Sequence, residues 1–244
     1  MDILKENERI DELHRNGYVI IQDTKRFCFG MDAVLLSSFA TAKKGDKVFD
    51  IGTGTGIIPI LMEAKTQASE FFAIDIQEES VEMAKRSISL NKLEEKIKVY
   101  HLDIKNVFDK FEKNTFNIVT SNPPYMNMGG GLLNDFTPKA IARHEILCNL
   151  DDILKGASGL LKPKGKFYMV HRPNRLADII EGLRKYKLEP KTIRFVQPYE
   201  NKEPNMVLIE AVKNGGAMLK ILPTLIVYNE NKEYTKEIYD IYYN

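Results

Sequence analysis

Short apolar runs alternate with amphipathic segments along most of the chain. The runs predict five buried strands, over residues 48–51, 71–76, 97–100, 116–120 and 166–170. Apolar positions at helical spacing predict helices over residues 57–65, 78–91, 105–111, 150–161 and 176–186. Regular alternation of strand and helix is typical of a parallel sheet with helices on both faces.

The pattern changes after residue 186, where two apolar runs follow each other without a helix between them. Residues 191–197 and 205–212 predict strands, and the connection over 198–204 is too short for a crossover helix, so this pair is expected to be antiparallel. We therefore predict an α/β fold with a mostly parallel seven-stranded sheet, an antiparallel last strand and helices on both faces.

The two ends of the chain predict smaller additions. A helix over 3–15, a strand over 18–22 and a helix over 32–41 are expected before the sheet, and a strand over 219–227 and a helix over 233–243 after it. Because no repeat or linker separates these parts, residues 1–244 are expected to form one domain. It divides into an N-terminal extension, 1–45, a core, 46–212, and a C-terminal addition, 213–244.

Composition and charge exclude several classes of protein. With 43% hydrophobic and 28% charged residues among 244, the chain is expected to fold around a large core. The formal net charge of +1 gives no indication of a partner. Cys28 and Cys148 lack the paired spacing of zinc sites, so no metal is expected. Residues 1–9 lack the features of a signal peptide and no run is long enough to span a bilayer, which predicts a cytoplasmic location.

A glycine turn follows the first predicted strand of the core, in the sequence Asp50-Ile51-Gly52-Thr53-Gly54-Thr55-Gly56. Glycines allow positive φ and close approach of the backbone to a ligand, and ligands of parallel sheets bind beyond the carboxyl ends of strands. Asp75 ends the next strand, 23 residues after Gly52, where its carboxylate can accept hydrogen bonds from ribose hydroxyls. With Ile76, these residues predict a site for an adenosine-like nucleoside; the alternative is a tight turn without a ligand.

The fourth strand leads directly into Asn122-Pro123-Pro124-Tyr125. Consecutive prolines fix φ and keep Asn122 extended, which presents the Asn122 side chain and the Pro123 carbonyl rigidly at the end of the strand. Two fixed acceptors for the N–H groups of a conjugated amine favour a pyramidal nitrogen with a localised lone pair. Tyr125 can stack on a planar substrate. The alternative is a turn that ends a strand and packs a tyrosine.

Both motifs resemble those of known enzymes. The glycine turn, with Ile57 where a dinucleotide turn would have a third glycine, is similar to the S-adenosylmethionine turn of class I methyltransferases. The tetrapeptide is similar to that of amino-methyltransferases acting on adenine, cytosine or glutamine amides. The resemblance implies a Rossmann-like class I fold, S-adenosylmethionine as cofactor, and Asp103 as the partner of the cofactor's adenine amine. An aspartate at a strand end is also typical of a helix N-cap.

Segments 27–36, 122–125 and 142–145 resemble the bacterial tRNA1(Val) adenine-N6 methyltransferases, and the likeness runs through essentially the whole chain. It implies the N6 amine of an adenine beside the anticodon of tRNA as acceptor, with no obligate protein partner. It also implies that Phe29, Gly30 and Asp32 line the cofactor or base pocket. A helix N-terminus capped by Asp32 explains the same residues structurally.

Two other functions remain open from the residues themselves. Release-factor glutamine methylation uses the same tetrapeptide, but such enzymes carry a larger helical domain before the glycine turn, whereas 49 residues precede Asp50 here. A nucleotide-binding or RNA-binding module without chemistry would tolerate loss of the asparagine or the prolines, and this chain has all four residues.

An RNA substrate needs phosphate contacts, and one part of the chain is basic enough to supply them. Residues 155–202 hold twelve basic and four acidic residues, a net charge of +8. His171, Arg172 and Arg175 follow a strand that we expect to end at the same edge as Asn122, and Arg143 is a further RNA-binding candidate. The alternative is a lysine-rich solvated face.

Overall fold

The structure is a computed structural model that describes residues 4–25, 28–124 and 149–243. Its strands are β1 (Glu8–Glu12), β2 (Val19–Asp23), β3 (Lys47–Ile51), β4 (Glu70–Asp75), β5 (Ile97–His101), β6 (Phe116–Ser121), β7 (Leu161–His171), β8 (Leu188–Gln197), β9 (Met206–Lys213), β10 (Lys220–Ile221) and β11 (Leu225–Ile226). Its α-helices are α1 (Met31–Phe39), α2 (Ile57–Lys65), α3 (Glu78–Leu90), α4 (Leu150–Leu160), α5 (Leu176–Lys185) and α6 (Lys236–Tyr243), and 3₁₀ helices span Ile104–Asp109 and Pro173–Arg175.

The main sheet has the strand order β10-β8-β9-β7-β6-β3-β4-β5, and β11 also pairs with β8. Strand β9 is antiparallel to β7 and β8, and the other pairings of this sheet are parallel. The order reverses at β3, which pairs with β4 on one side and β6 on the other. The predicted fold class is confirmed, and β10 and β11 extend the sheet beyond the seven strands predicted.

The strands of the sheet bury both faces, as strands between two helical layers must. Neighbouring residues therefore belong to different hydrophobic clusters: Val48 and Ile118 pack into one, and Phe49 and Val119 into the other. The first cluster also contains Leu13, Ile20 and Ile238, so residues from both ends of the chain pack against the same face of the sheet.

The predicted N-terminal helix over 3–15 is wrong in the described residues, which contain β1 instead. Strand β1 pairs with β2 in an antiparallel hairpin, from Glu8 opposite Asp23 to Glu12 opposite Val19. The hairpin is attached to α3, where the Arg86 guanidinium donates two hydrogen bonds, of 2.6 and 2.7 Å, to the Glu8 carboxylate. These long-range contacts override the helical propensity of the segment.

Two other predicted elements differ in type or length. The helix predicted over 105–111 is the 3₁₀ helix Ile104–Asp109, whose buried Ile104 and Val107 are three residues apart, the repeat of a 3₁₀ helix. The single strand predicted over 219–227 is two short strands, β10 and β11. Pro223 lies between them and has no N–H for a strand hydrogen bond.

Candidate active site

The glycine turn connects β3 to α2 at the carboxyl edge of the sheet. Gly52, Gly54 and Gly56 have φ of 73°, 55° and 87°, values that favour glycine. A Cβ at Gly56 would lie 3.3 Å from the Ala84 Cβ, whereas a Cβ at Gly52 or Gly54 would meet nothing within 4 Å. The turn is therefore packed against α3 at its end and open on the side where Gly52 and Gly54 lie.

Asp75 ends β4 and holds this turn in place. One carboxylate oxygen, Oδ2, accepts a hydrogen bond of 2.8 Å from the Gly54 N–H, and the other accepts one of 2.9 Å from the Gln77 N–H. The Gly52 and Thr53 N–H groups donate to the Ile74 carbonyl at 2.9 and 3.0 Å. The structure thus brings Asp75 and the glycine turn together, as predicted, and gives Asp75 a role in shaping the turn.

Asp50 lies beneath the turn, 1% exposed. Its Oδ1 accepts a hydrogen bond of 2.6 Å from the Thr120 hydroxyl. Thr120 lies directly opposite Asp50 on the neighbouring strand β6. Burial raises the pKa of Asp50 to about 6, although hydrogen bonding to Thr120 and Thr53 opposes the rise. Thr120 is not apparent from the sequence, because a threonine inside a strand gives no signal of a long-range partner.

The next strand end along the edge carries Asp103. Its Oδ1 accepts a hydrogen bond of 2.9 Å from the Lys105 N–H, so Asp103 is the N-cap of the first 3₁₀ helix. The Leu102 N–H donates to the Asp75 carbonyl at 3.0 Å, and a His101 ring nitrogen lies 3.0 Å from the Ile76 carbonyl. Asp103 and Ile76 therefore lie at the same edge as Asp75.

Asn122 follows β6 on the other side of β3. The Ser121 hydroxyl donates a hydrogen bond of 3.0 Å to the Ile51 carbonyl, which ties the end of β6 to the start of the glycine turn. Pro123 is buried and Pro124 exposed. The Asn122 Oδ1 is buried and has no hydrogen-bond partner within the described part of the chain. Tyr125, predicted to stack on the substrate, lies outside the described residues.

The segment before α1 is held by Gln22, a residue that sequence reasoning missed. Gln22, 2% exposed, accepts a hydrogen bond of 2.8 Å from the Phe29 N–H and donates one to the Asp11 carboxylate. A lone amide in an otherwise apolar strand is the sequence signal for such a buried polar contact. Gly30 is the N-cap of α1. Asp32 is the second helical residue rather than the cap, and a Cβ at Gly30 would lie 2.7 Å from its Oδ1.

Two of the predicted RNA contacts follow β7, the neighbour of β6. Arg172 Nη1 donates a hydrogen bond of 2.9 Å to the Asn205 carbonyl, and Arg175 forms an exposed ion pair of 2.7 Å with Asp178. Burial, together with the charges of Arg175 and Arg172, lowers the pKa of His171 to about 4, so this imidazole is neutral at pH 7. Arg143, like the loop over 126–135, lies outside the described residues.

The buried polar atoms of the site indicate whether it fits a nucleoside-type cofactor. The Asn122 Oδ1 is buried and lacks a hydrogen-bond partner among the residues described. An unpartnered buried polar group costs about 1–3 kcal/mol, which a ligand with a suitable donor would recover. Together with the open side of the glycine turn, this atom fits a polar ligand at the switch point of the sheet. The described residues contain no cluster of His, Cys, Asp and Glu suited to a metal ion.

The strand order, the glycine turn after β3 and the Asn-Pro-Pro sequence after β6 define a class I methyltransferase. The chain belongs to the methyltransferase small domain family, which matches residues 29–186. Enzymes of this family depend on S-adenosylmethionine, which agrees with the predicted cofactor.

Similar sequences carry a more specific name. A tRNA1(Val) (adenine(37)-N6)-methyltransferase of Parabacteroides distasonis is 29% identical over 181 residues, which cover 74% of this chain and 75% of that protein. The enzyme of the same name from Photobacterium profundum is also 29% identical over 181 residues, covering 73% and 75%.

Solved structures show the same fold at lower identity. A predicted O-methyltransferase from Agrobacterium tumefaciens matches with a TM-score of 0.70 and 22% identity, over 86% of this chain and 95% of that one. Geranyl diphosphate C-methyltransferase from Streptomyces coelicolor, solved with S-adenosyl-L-homocysteine, matches with a TM-score of 0.54 and 13% identity, over 74% of each chain. Within the described residues, no helix has the length and apolar character needed to cross a bilayer.

Proposed function

We propose that this protein transfers a methyl group from S-adenosylmethionine to the N6 amine of an adenine in a tRNA, next to the anticodon. The observation that carries the proposal is the buried Asn122 Oδ1 at the end of β6, beside the glycine turn, for which the described residues provide no hydrogen-bond partner. The names of the similar sequences support adenine as the acceptor and tRNA as its carrier. A tRNA substrate also favours a cytoplasmic location.

The residues of the site divide between donor and acceptor. S-adenosylmethionine, when bound, supplies an electrophilic methyl group on its sulfonium sulfur. Gly52, Thr53, Gly54 and Gly56 would form the backbone cradle for it, and Asp75, Ile76 and Asp103 would face its adenosine. Asp50 would support this cradle from beneath, through its hydrogen bonds with Thr120 and Thr53. Phe29, Gly30 and Asp32 would line the entrance to the same pocket.

Asn122 and Pro123 would activate the acceptor. Adenine N6 is a weak nucleophile because its lone pair is delocalised into the ring. The Asn122 Oδ1 and the Pro123 carbonyl accept its two N–H groups out of the ring plane, which favours a pyramidal nitrogen and directs the lone pair toward the methyl group. The proton leaves after attack, so no strong base is required, and the neutral His171 is not needed as one. Tyr125 would stack on the adenine ring.

The substrate is tested by incubating the protein with methyl-labelled S-adenosylmethionine and either total tRNA or a release factor. Label in N6-methyladenosine of digested tRNA is the expected result. Label only in a release-factor glutamine would assign the tetrapeptide to the alternative acceptor, and no label in either would favour a binding module without chemistry.

The mechanism is tested with Asn122→Ala against Asn106→Ala, an exposed asparagine on the 3₁₀ helix after β5. Removal of one preorganised acceptor is expected to lower the methylation rate about 10²–10³-fold. Cofactor binding, measured by calorimetry, should remain in both variants. Equal turnover of the two variants would refute the role given to Asn122.

A further inference from the structure

A cavity lies at the opposite edge of the sheet from the glycine turn. Helices α1 and α2 run antiparallel to the strands that they cover, so their C-terminal ends meet at the amino edge, where α6 also approaches. The cavity between them has a volume of about 640 Å³. Its polar lining includes two cationic side chains and four hydroxyl groups: Arg15, Lys65, Ser37, Ser38, Thr41 and Thr66.

The two cationic side chains of this cavity contact neutral groups. Lys65 Nζ donates hydrogen bonds to the hydroxyls of Ser38 and Ser37, at 2.5 and 3.2 Å. Arg15 Nη2 donates to the carbonyls of Asp240 and Ile241, both at 3.0 Å, and the Arg15 Nε is buried with no hydrogen-bond partner in the described part of the chain. Over the ranges that the structure describes, neither cation forms an ion pair with a carboxylate.

The two carboxylates that line the cavity have cationic partners of their own. Glu237 pairs with Arg194 at 2.7 Å, and Asp240 pairs with Lys236 at 2.6 Å. Their charges are therefore compensated, whereas those of Lys65 and Arg15 are not. Burial and the neighbouring charge of Arg15 lower the pKa of Lys65 to about 7. Lys65 and Arg15 are half-buried. A cation that is partly removed from water is normally paired, so this arrangement favours an anionic ligand.

One hydroxyl group of the cavity is able to donate to a small oxyanion. The Ser37 and Thr66 hydroxyls already donate to backbone carbonyls, both at 2.7 Å, and the Thr41 hydroxyl lies 2.8 Å from a tyrosine hydroxyl. Ser38 accepts from Lys65, which leaves the Ser38 proton to donate to a ligand. We propose that this cavity binds a phosphate-type oxyanion, with Lys65 and Arg15 as its cationic partners and Ser38 as a hydroxyl donor. The group is either inorganic phosphate or a phosphodiester of a bound RNA.

Binding is tested by thermal unfolding in sodium phosphate against sodium chloride of equal ionic strength. At a tenfold excess over the dissociation constant, phosphate should raise the Tm of the wild-type protein by about 3 °C. Lys65→Met preserves the length of the side chain and should abolish the increase. Lys44→Met removes one charge from an exposed lysine, and this variant should retain the increase in Tm. The same shift in both variants, or none in the wild type, would overturn the proposal.

A second measurement uses the wild-type protein and does not depend on the stability of a variant. With ¹³Cε-labelled lysine, one resonance should titrate near pH 7 without phosphate and at least about one pH unit higher with it, because a bound anion stabilises the charged amine. A midpoint that does not move would contradict binding at Lys65.

Measurements of RNA binding by two variants distinguish the two possible sources of the phosphate. The quantity compared is the slope of the logarithm of the RNA-binding constant against the logarithm of the salt concentration. If Lys65→Met lowers this slope by about one relative to Lys44→Met, the bound anion is an RNA phosphate; if the slope is unchanged, the bound anion is inorganic phosphate.

Discussion

Asp50 links the stability of the central strand to the polarity of the candidate active site. Its carboxylate is fully enclosed and is hydrogen-bonded by Thr120 and Thr53. Burial disfavours the charged form, so its pKa is about 6 in the folded chain, compared with 3.8 in the unfolded one. Between these values the folded state binds more protons than the unfolded state, and stability falls as pH rises.

The first prediction concerns this pH dependence. From about pH 4 to about pH 6.5, Asp50 alone should lower the free energy of unfolding by about 2 kcal/mol, because folding must enclose a charged carboxylate at the higher pH. Asp50→Asn removes this contribution, and urea unfolding across the pH range should show a flatter curve for the variant than for the wild type. Thr120→Val removes one of the opposing hydrogen bonds and should raise the pKa of Asp50 further. Parallel curves for wild type and Asp50→Asn would contradict the assigned burial effect.

At the scale of elements, the hairpin β1–β2 depends on contacts with α3 that are remote in sequence. Asn91, at the end of α3, accepts a hydrogen bond of 2.8 Å from the Val19 N–H and donates one of 2.7 Å to the Val19 carbonyl. The Ser87 hydroxyl accepts from the Ile21 N–H at 3.0 Å. The side of β2 that does not pair with β1 is thus satisfied by side chains of a helix.

This hairpin provides the second prediction. Asn91→Ala leaves the Val19 N–H and C=O without these partners, which should lower the free energy of unfolding by about 1–3 kcal/mol. Faster amide exchange should be confined to the hairpin. Lys85→Ala, on the exposed side of the same helix, is the matched control and should change neither quantity. Uniformly faster exchange throughout the sheet would show that the hairpin is not a separate unit.

The same contacts explain how much of the fold and of the candidate site can be predicted from the sequence. Strands β3 to β6 are predictable within about a residue because burial on both faces leaves a continuous apolar run. The glycine turn and its approach to Asp75 are predictable because strand order fixes which ends meet. The hairpin β1–β2 cannot be predicted in this way, since its strand pairing is decided by Asn91 and Arg86, which lie far from it along the chain. The contacts of Gln22 and Thr120 escape prediction for the same reason.

At the scale of the whole molecule, the basic stretch over 155–202 is divided between opposite edges of the sheet. Lys162 and Lys164 lie in the first half of β7, at the amino edge, where their ammonium groups contact Asn117 Oδ1 at 3.3 Å and the Asn214 carbonyl at 2.7 Å. Part of the remaining charge is neutralised by acids from elsewhere, in the pairs Lys185–Asp151, Lys166–Glu210 and Arg194–Glu237. Arg172 and Arg175 follow the carboxyl end of β7, at the edge that holds Asn122. The net charge of +8 over this stretch therefore overstates the charge available near the candidate site.

This division makes the RNA-binding prediction specific. Arg172→Gln combined with Arg175→Gln should weaken tRNA binding and lower the slope of its salt dependence by about two, because each arginine is expected to neutralise one phosphate. Lys162→Gln combined with Lys164→Gln removes the same net charge from the start of β7, at the opposite edge of the sheet. Binding isotherms over a range of salt concentrations measure both slopes, and the thermal stability of each double variant checks that it is folded.

The two double variants distinguish RNA binding that depends on the total charge of the protein from RNA binding that depends on contacts at the carboxyl edge of the sheet. If RNA responds only to the total charge of the protein, the two double variants lose the same affinity, and the carboxyl edge has no special role. If the RNA must bring an adenine to Asn122, its backbone passes over the carboxyl edge. The double variant of Arg172 and Arg175 then shows the weakening, and Lys162 and Lys164 can be neutralised with the slope of the salt dependence unchanged.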